Sequence, residues 1–305
     1  MLRHIISASD LSPMEMKELF ERANHYQNVC MLKKFPMRGK IGVTCFYQPS
    51  TRTRFSFESA ILRLGGQYIG TEAAGMLSSA AKNESVPDAA RIMASYGDLI
   101  ILRSEKAGDV EKAAAVSPVP IINAGDGIGE HPTQAFLDLY TIEQHFGRMR
   151  EITVTVVGDL KRGRTVHSLV KLLAAMHEKL VYVREIICVA PPELQLPDEI
   201  FADAQHIGTI SRVHGLSPEI LGLTDVIYMT RTQREHGEVE FDPSAFTLTP
   251  ERAQLLPETS IILHPLPRND ELPPAIDFDP RARYFEQAQN GLYVRMALLE
   301  MIMKK

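Results

Sequence analysis

The chain has 305 residues, 45% of them hydrophobic and 23% charged, with 19 Gly and 19 Pro, an ordinary globular composition that excludes a disordered or fibrous protein. With 33 Lys and Arg against 38 Asp and Glu the formal charge is -5, so no global basic field exists to hold nucleic acid or an anionic membrane. Any bound anion must be held by a local site. At roughly 100–200 residues per domain, the length suggests two domains, each able to bury its own core.

The first residues, MLRHIISASDLSPMEMKELFERA, reach charge too soon for a signal peptide, and no apolar run approaches the ~20 residues of a membrane span. A cytoplasmic location is the expectation. Cys30, Cys45 and Cys188 are odd in number, far apart and without a CxxC pair, a pattern of buried thiols rather than disulfides or a zinc site.

Short β-branched runs then alternate with helical patterns: IGVTCFY (41–47), a helix to about Leu64, QYIG, PDAARIMASY, DLIILR, DVEKAAAV and VPIINAG. Such alternation predicts βαβ units around a parallel sheet. A long amphipathic segment, HPTQAFLDLYTIEQHFG, closes at Gly147. The alternation then restarts with EITVTVVGDL, a helix from about Thr165 to Ala175, EIICVA, DVIYMT and SIILHPL, which reads as a second α/β domain over 148–287. The final NGLYVRMALLEMIMKK has helical spacing and suits packing on either half.

In open parallel sheets ligands collect beyond the carboxyl ends of strands, and several such ends carry chemistry. Gln48-Pro49-Ser50-Thr51-Arg52-Thr53-Arg54 leaves the first strand and opens a helix. A cap needs one hydroxyl, whereas three hydroxyls and two arginines crowd residues 50–54, which predicts a phosphate or carboxylate site. Arg103 ends the apolar DLIILR strand and, taken alone, reads equally as a solvated loop charge. His131-Pro132-Thr133-Gln134 opens the long helix. By itself it reads first as a cap with Pro in the first turn, although a histidine at that end of the dipole stays neutral and can donate to a polarised carbonyl.

In the second domain, Gly158-Asp159-Leu160-Lys161-Arg162-Gly163-Arg164-Thr165 stands where a dinucleotide loop would stand, yet lacks GxGxxG and carries three cations, so a small anion suits it better than a nucleotide cofactor. Arg231-Thr232-Gln233-Arg234 follows DVIYMT and alone reads as a charged loop, though a guanidinium suits a bidentate grip on a carboxylate. His264-Pro265-Leu266-Pro267-Arg268 follows the last strand, its prolines removing donors and leaving carbonyls as acceptors for an amide-like nitrogen. Ser78-Ser79-Ala80-Ala81-Lys82-Asn83-Glu84 is a polar loop with no signal of its own. No spacing fits a metal site, a Ser-His-Asp order or a Walker loop.

Together, PSTRTRFSFE, HPTQA, GDLKRGRTVHSL, YMTRTQRE and HPLPR occur in an order and spacing that resembles the carbamoyltransferases, over nearly the whole chain. STRTR, HPTQ and the arginine of the ILR strand end are general to that family, whereas HPLPR with Pro265, in place of the HCLP-type sequence of the ornithine branch, resembles the aspartate branch. The resemblance implies two doubly wound parallel-sheet domains with the active site in the interdomain cleft. Residues 1–147 would bind carbamoyl phosphate, 148–287 would bind aspartate, and the C-terminal helix 288–305 would pack back on the first domain. It further implies that Ser50, Thr51, Arg52 and Thr53 grip the phosphate while Thr53, Arg103 and His131 polarise the carbonyl. Gln134 and the backbone carbonyls of Pro265 and Leu266 would hold the carbamoyl nitrogen, and Arg164, Arg231 and Gln233 the two aspartate carboxylates. Ser78 and Lys82 match a loop that reaches a neighbouring subunit's site, Lys82 also meeting aspartate, which implies a homotrimer with shared active sites. No cofactor, metal, nucleic acid or membrane partner is implied, and the catalytic motifs are the same with or without a regulatory chain.

Two positions depart from the family pattern. Gln48 stands where a Glu is usual, and His236 where an arginine is usual. In the family these pair across the cleft on closure, so closure here is expected to be weaker or differently organised. Gln48→Glu with His236→Arg tests this, since an unchanged rate and aspartate affinity would refute it. Lys161-Arg162 also departs from the usual Lys-Tyr, and nothing in the sequence explains that change.

Overall fold

The structure is a computed structural model that describes residues 3–29, 34–74, 84–147, 150–207, 209–231 and 242–304. It divides into two compact units, one formed by Met1–Leu137 with Gln289–Lys305 and the other by Asp138–Ala288.

The first unit opens with helix α1 (Pro13–Asn28), fixed by a capping box in which Ser12 and Glu15 satisfy each other's backbone N–H groups. Its sheet consists of β1 (Ile41–Phe46), β2 (Gln67–Glu72), β3 (Leu99–Ser104) and β4 (Ile121–Asp126), in the order β2-β1-β3-β4. All pairings are parallel. Helices α2 (Thr51–Arg63), α3 (Val86–Met93) and α4 (Asp109–Ala114) lie between strands in sequence, and α5 (Pro132–Phe146) follows β4. Every residue of β3 and β4 is buried, which is why LIIL and II read as unbroken apolar runs instead of alternating ones. Val43, Cys45, Ile100, Leu102, Val110 and Ile121 form a core beside this sheet. Ile5 bridges Ile122 in parallel and widens the sheet beyond β4.

The second unit carries β5 (Glu151–Val157), α6 (Arg164–Met176), β6 (Tyr182–Val189), α7 (Asp198–Ala204), β7 (Thr209–Val213), α8 (Pro218–Leu223), β8 (Val226–Met229), α9 (Pro250–Ala253) and β9 (Ile261–Leu263). Its strands run β7-β6-β5-β8-β9, again all parallel. The core gathers Val157, Val189, Ile227, Met229, Ile262 and Tyr284. Strand β7 is an edge, partly exposed throughout. Its Thr-Ile-Ser-Arg-Val sequence offers no apolar run, so pattern reading passed it over.

Helix α10 (Tyr284–Met303) ends in the first unit. There Arg295 donates to Ser56 at 2.8 Å and lies 5.0 Å from the Phe57 ring centre, while Arg22 pairs with Glu300 at 2.8 Å. Among the described residues no helix is long and apolar enough to cross a membrane.

Both sheets are doubly wound. In the first unit the chain leaves β1 toward β2 and returns on the other side to β3. In the second it leaves β5 toward β6 and β7 and returns to β8. The crevices beyond the carboxyl ends of β1/β3 and of β5/β8 are therefore the topological switch points, where such folds bind ligands.

Candidate active site

At the first switch point, β1 runs through Gln48 into the start of α2. Ser50 is the residue before the helix and has extended backbone angles, and its side chain makes no capping bond. No acidic residue occupies the first turn, so the helix itself supplies no charge to offset the positive end of its dipole, which favours an anion there.

The two arginines of this loop have different fates. Arg54 donates to Glu58 at 2.7 Å and to Glu72 at 3.1 Å. Glu58 is buried and also accepts from Thr44 at 3.0 Å, while Glu72 accepts the Ser50 N–H at 3.0 Å. Hydrogen bonding to Glu58, with the two carboxylate charges, raises the Arg54 pKa. Arg54 is thus consumed in shaping the loop, which leaves Arg52 as the one loop arginine for the anion site that the sequence suggested with two. Arg52 makes no ion pair among the described residues. It is exposed, yet the protein crowding its guanidinium lowers its pKa.

Arg103 lies inside β3 and is 7% exposed, which excludes the solvated-loop alternative. One guanidinium nitrogen donates to the Ala124 carbonyl at 3.1 Å and another to Gln48 Oε1 at 3.0 Å. The side chain therefore spans the ends of β1, β3 and β4. His131 is buried, with Nε2 3.4 Å from Thr53 Oγ1, the long limit of a hydrogen bond. Its backbone carbonyl accepts from Gln134 and Ala135 N–H, so it also caps α5. Gln134 is half-buried in the first turn. Thr53, Arg103 and His131 thus form a buried set of donors beside the loop of Ser50, Thr51 and Arg52.

At the second switch point the ends of β5 and β8 approach so closely that only glycine fits. Gly158 has φ +125°, and a Cβ there would lie 2.3 Å from the Thr230 carbonyl oxygen. Arg231 follows Thr230, and Arg164 opens α6; both are half-buried. Arg162, from the same loop, is held 3.6 Å from the buried Asp159. Gln233 and His236, like Ser78 and Lys82, lie outside the described residues.

The turn after β9 is built on His264. Its Nδ1 accepts the Leu266 N–H at 2.7 Å and its Nε2 lies 3.0 Å from Glu271. Pro265 and Leu266 are half-buried, and Leu266 has φ +54°, a conformation that costs a non-glycine residue about 1 kcal/mol or more and must be imposed by its surroundings. Arg268 is paired with Asp277 and donates to Tyr284 at 3.0 Å, which lowers the Asp277 carboxyl below its ordinary range. Glu271 and Gln287 were not among the expected site residues, because neither stands in a recognisable spacing with its partner, and the contact of Gln48 with Arg103 was not foreseen. No group of three or more His, Cys, Asp or Glu among the described residues could hold a metal ion.

Residues 3–144 match the family model "Aspartate/ornithine carbamoyltransferase, carbamoyl-P binding domain" and 150–302 match "Aspartate/ornithine carbamoyltransferase, Asp/Orn binding domain". The chain is 43% identical over 310 residues to the aspartate carbamoyltransferase catalytic subunit of Methanopyrus kandleri, covering 99% of this chain and 97% of that one. The subunit from Methanothrix thermoacetophila is 41% identical over 307 residues, covering 99% and 98%. The same identity relates 98% of the chain to 13% of the multifunctional protein pyr1-3 of Dictyostelium discoideum. The structure of Trypanosoma cruzi aspartate transcarbamoylase with carbamoyl aspartate and phosphate superposes with a TM-score of 0.91 at 37% identity, covering 98% of this chain and 95% of that one. With two domain models matched and relatives of this identity along its whole length, the chain belongs to the aspartate/ornithine carbamoyltransferase family.

Proposed function

We propose that this chain transfers the carbamoyl group of carbamoyl phosphate to the α-amino group of L-aspartate, giving N-carbamoyl-L-aspartate and phosphate in de novo pyrimidine synthesis. The observation that carries the reading is the buried Arg103, anchored on Ala124 and Gln48 at the β1/β3 switch point, together with the buried Thr53–His131 pair at the uncapped start of α2.

In this reading the hydroxyls of Ser50, Thr51 and Thr53 with Arg52 grip the phosphate, and Arg103 reaches both phosphate and carbonyl oxygen. Thr53, Arg103 and His131 donate to the carbonyl oxygen as it gains charge. Fixed donors do this without reorganising, and loss of one such donor costs ~10²–10³ in rate. Gln134 with the Pro265 and Leu266 carbonyls takes the carbamoyl nitrogen. Arg164, Arg231 and Gln233 take the two carboxylates of aspartate. The neutral amine attacks the carbonyl carbon, the tetrahedral intermediate collapses, and the C–O bond to phosphate breaks, phosphate leaving with the electron pair and taking up the proton that the attacking nitrogen gives up. Alignment of the two substrates supplies up to ~7–11 kcal/mol.

Pro265 and the Arg164/Arg231 pair favour a dicarboxylate over a cationic acceptor, since two guanidinium groups would repel an ammonium side chain. A homotrimer in which Ser78 and Lys82 complete a neighbour's site belongs to the same reading and rests on the family resemblance of that loop, and a cytoplasmic location rests on the composition and the early charges of the sequence. The test is carbamoyl-aspartate formation by the purified chain at saturating carbamoyl phosphate, with aspartate varied and ornithine as control acceptor. Turnover with aspartate alone is expected; turnover with ornithine, or none with either, refutes the assignment.

A further inference from the structure

The turn that would receive the carbamoyl nitrogen hangs from a buried chain of polar side chains. Tyr228 of β8 donates to Asp138 at 2.8 Å, and Gln287 donates to the other Asp138 oxygen at 2.6 Å. The Gln287 carbonyl oxygen accepts the backbone N–H of His264 at 2.9 Å. The His264 ring then links Leu266 to Glu271, which also accepts the Asn269 N–H at 2.8 Å. Tyr228, Asp138, Gln287, His264 and Glu271 are all at most 5% exposed. An apolar cluster of equal volume would be as stable, so the cost of burying this network points to what it orients.

The geometry fixes the state of the ring. The Leu266 N–H can only donate, so His264 Nδ1 is an acceptor and carries no proton. The ring proton sits on Nε2 and is donated to Glu271. Burial pushes the Glu271 carboxyl up, but the His264 and backbone donors outweigh it and hold the group below its ordinary range, so it is a carboxylate. A carboxylate on one side of an imidazole makes the other nitrogen a stronger acceptor.

That acceptor acts on one peptide unit. The Leu266 N–H and the Pro265 carbonyl belong to the same trans peptide, so they point in opposite directions. Anchoring the N–H on His264 therefore aims the Pro265 oxygen away from the ring. It also draws charge onto that oxygen, because hydrogen bonds in series polarise one another. We propose that Glu271 and His264 form a positioning dyad that aims and polarises the Pro265 carbonyl, so that the enzyme selects an acyl phosphate bearing N–H₂ over one bearing a methyl group. The proposal rests on the reading that this carbonyl accepts from the carbamoyl nitrogen.

Acetyl phosphate, which replaces the amino group by methyl, is the discriminating probe, and orthophosphate, which lacks the acyl group, is the control. Wild type should bind carbamoyl phosphate in preference to acetyl phosphate. Glu271→Gln, which keeps the size but removes the charge, should weaken carbamoyl phosphate about fivefold. It should leave acetyl phosphate and orthophosphate unchanged. His264→Leu should lose the preference altogether, while His264→Asn, whose Oδ1 can accept an N–H two residues on, should recover part of it. If the Glu271 and His264 variants weaken all three ligands alike, or leave carbamoyl phosphate unaffected, the dyad is structural only and the proposal falls while the carbonyl assignment stands. If wild type itself binds carbamoyl and acetyl phosphate equally, the carbonyl assignment is wrong and the proposal falls with it.

Discussion

Arg103 donates to Gln48 Oε1 at 3.0 Å, a charged donor on a neutral acceptor. Gln48 aims the guanidinium without itself placing a negative charge against it. A carboxylate in the same place would pair with Arg103, and an arriving dianion would have to displace it. A hydrogen bond between charged groups is worth ~1.5–3 kcal/mol. Gln48→Glu should therefore weaken orthophosphate about tenfold or more, measured as its inhibition constant against carbamoyl phosphate. Gln48→Met should weaken it less, since the guanidinium then loses aim but not charge.

The separate fates of Arg52 and Arg54 predict opposite phenotypes from neighbouring substitutions. Arg52→Ala removes a side chain with no partner among the described residues, so kcat/KM should fall by at least ~10² while the melting temperature stays within a degree or two. Arg54→Ala leaves the buried Glu58 without its cation. A buried charged group left without its partner costs at least ~2 kcal/mol, or roughly 4–8 °C in melting temperature at this size. Activity and thermal melts on both variants separate the two roles. A loss of activity with no loss of stability in Arg54→Ala would show it to be a ligand after all.

These two arginines also mark how far the sequence could be read. The parallel sheets were legible because β-branched runs alternate with helical periods, the doubly wound topology came with the family resemblance, and HPTQ, STRTR and HPLPR stand at strand ends where such folds place chemistry. The division of labour inside STRTR was not, because it depends on Glu58 one helical turn on and on Glu72 at the end of a neighbouring strand. Glu271 and Gln287 were invisible for the same reason. Their partner His264 lies seven and 23 residues away, and contacts of that kind exist only once the turn and α10 have formed. Cys45 and Cys188 needed no such context. Both are buried as expected, and burial pushes each thiol up to about 12, while Cys30 lies outside the described residues.

Acid should weaken the N-terminal cap. Hydrogen bonding from Arg3, reinforced by Ser12, lowers the Glu15 carboxyl to about 2 from 4.5. A folded-state pKa below the unfolded value gives stability that is present above pH 4.5 and lost as the pH falls toward 2. Arg3→Gln should therefore lower the melting temperature modestly at pH 7, with the difference from wild type shrinking between pH 4.5 and 2. A difference that stays constant across that range would mean that Arg3 acts by packing and not through the Glu15 charge.

Gly158 gives the sharpest test of the second switch point. Its φ of +125° is unfavourable to any side chain, and a Cβ would meet Thr230 backbone at 2.3 Å, an atom that cannot swing aside. Gly158→Ala should cost ~1–3 kcal/mol in backbone strain and more in displaced backbone. Relief requires the ends of β5 and β8 to part, and these ends carry the segments bearing Arg164 and Arg231. The variant should melt earlier and show a raised KM for aspartate, while orthophosphate, which the proposed function assigns to residues of the first unit, should keep its inhibition constant. Thr230→Gly in the same chain removes the Oγ1 contact at 2.5 Å but not the backbone one, so it should rescue only part of the loss. Full rescue would place the conflict in the side chain and not in the approach of the two strands.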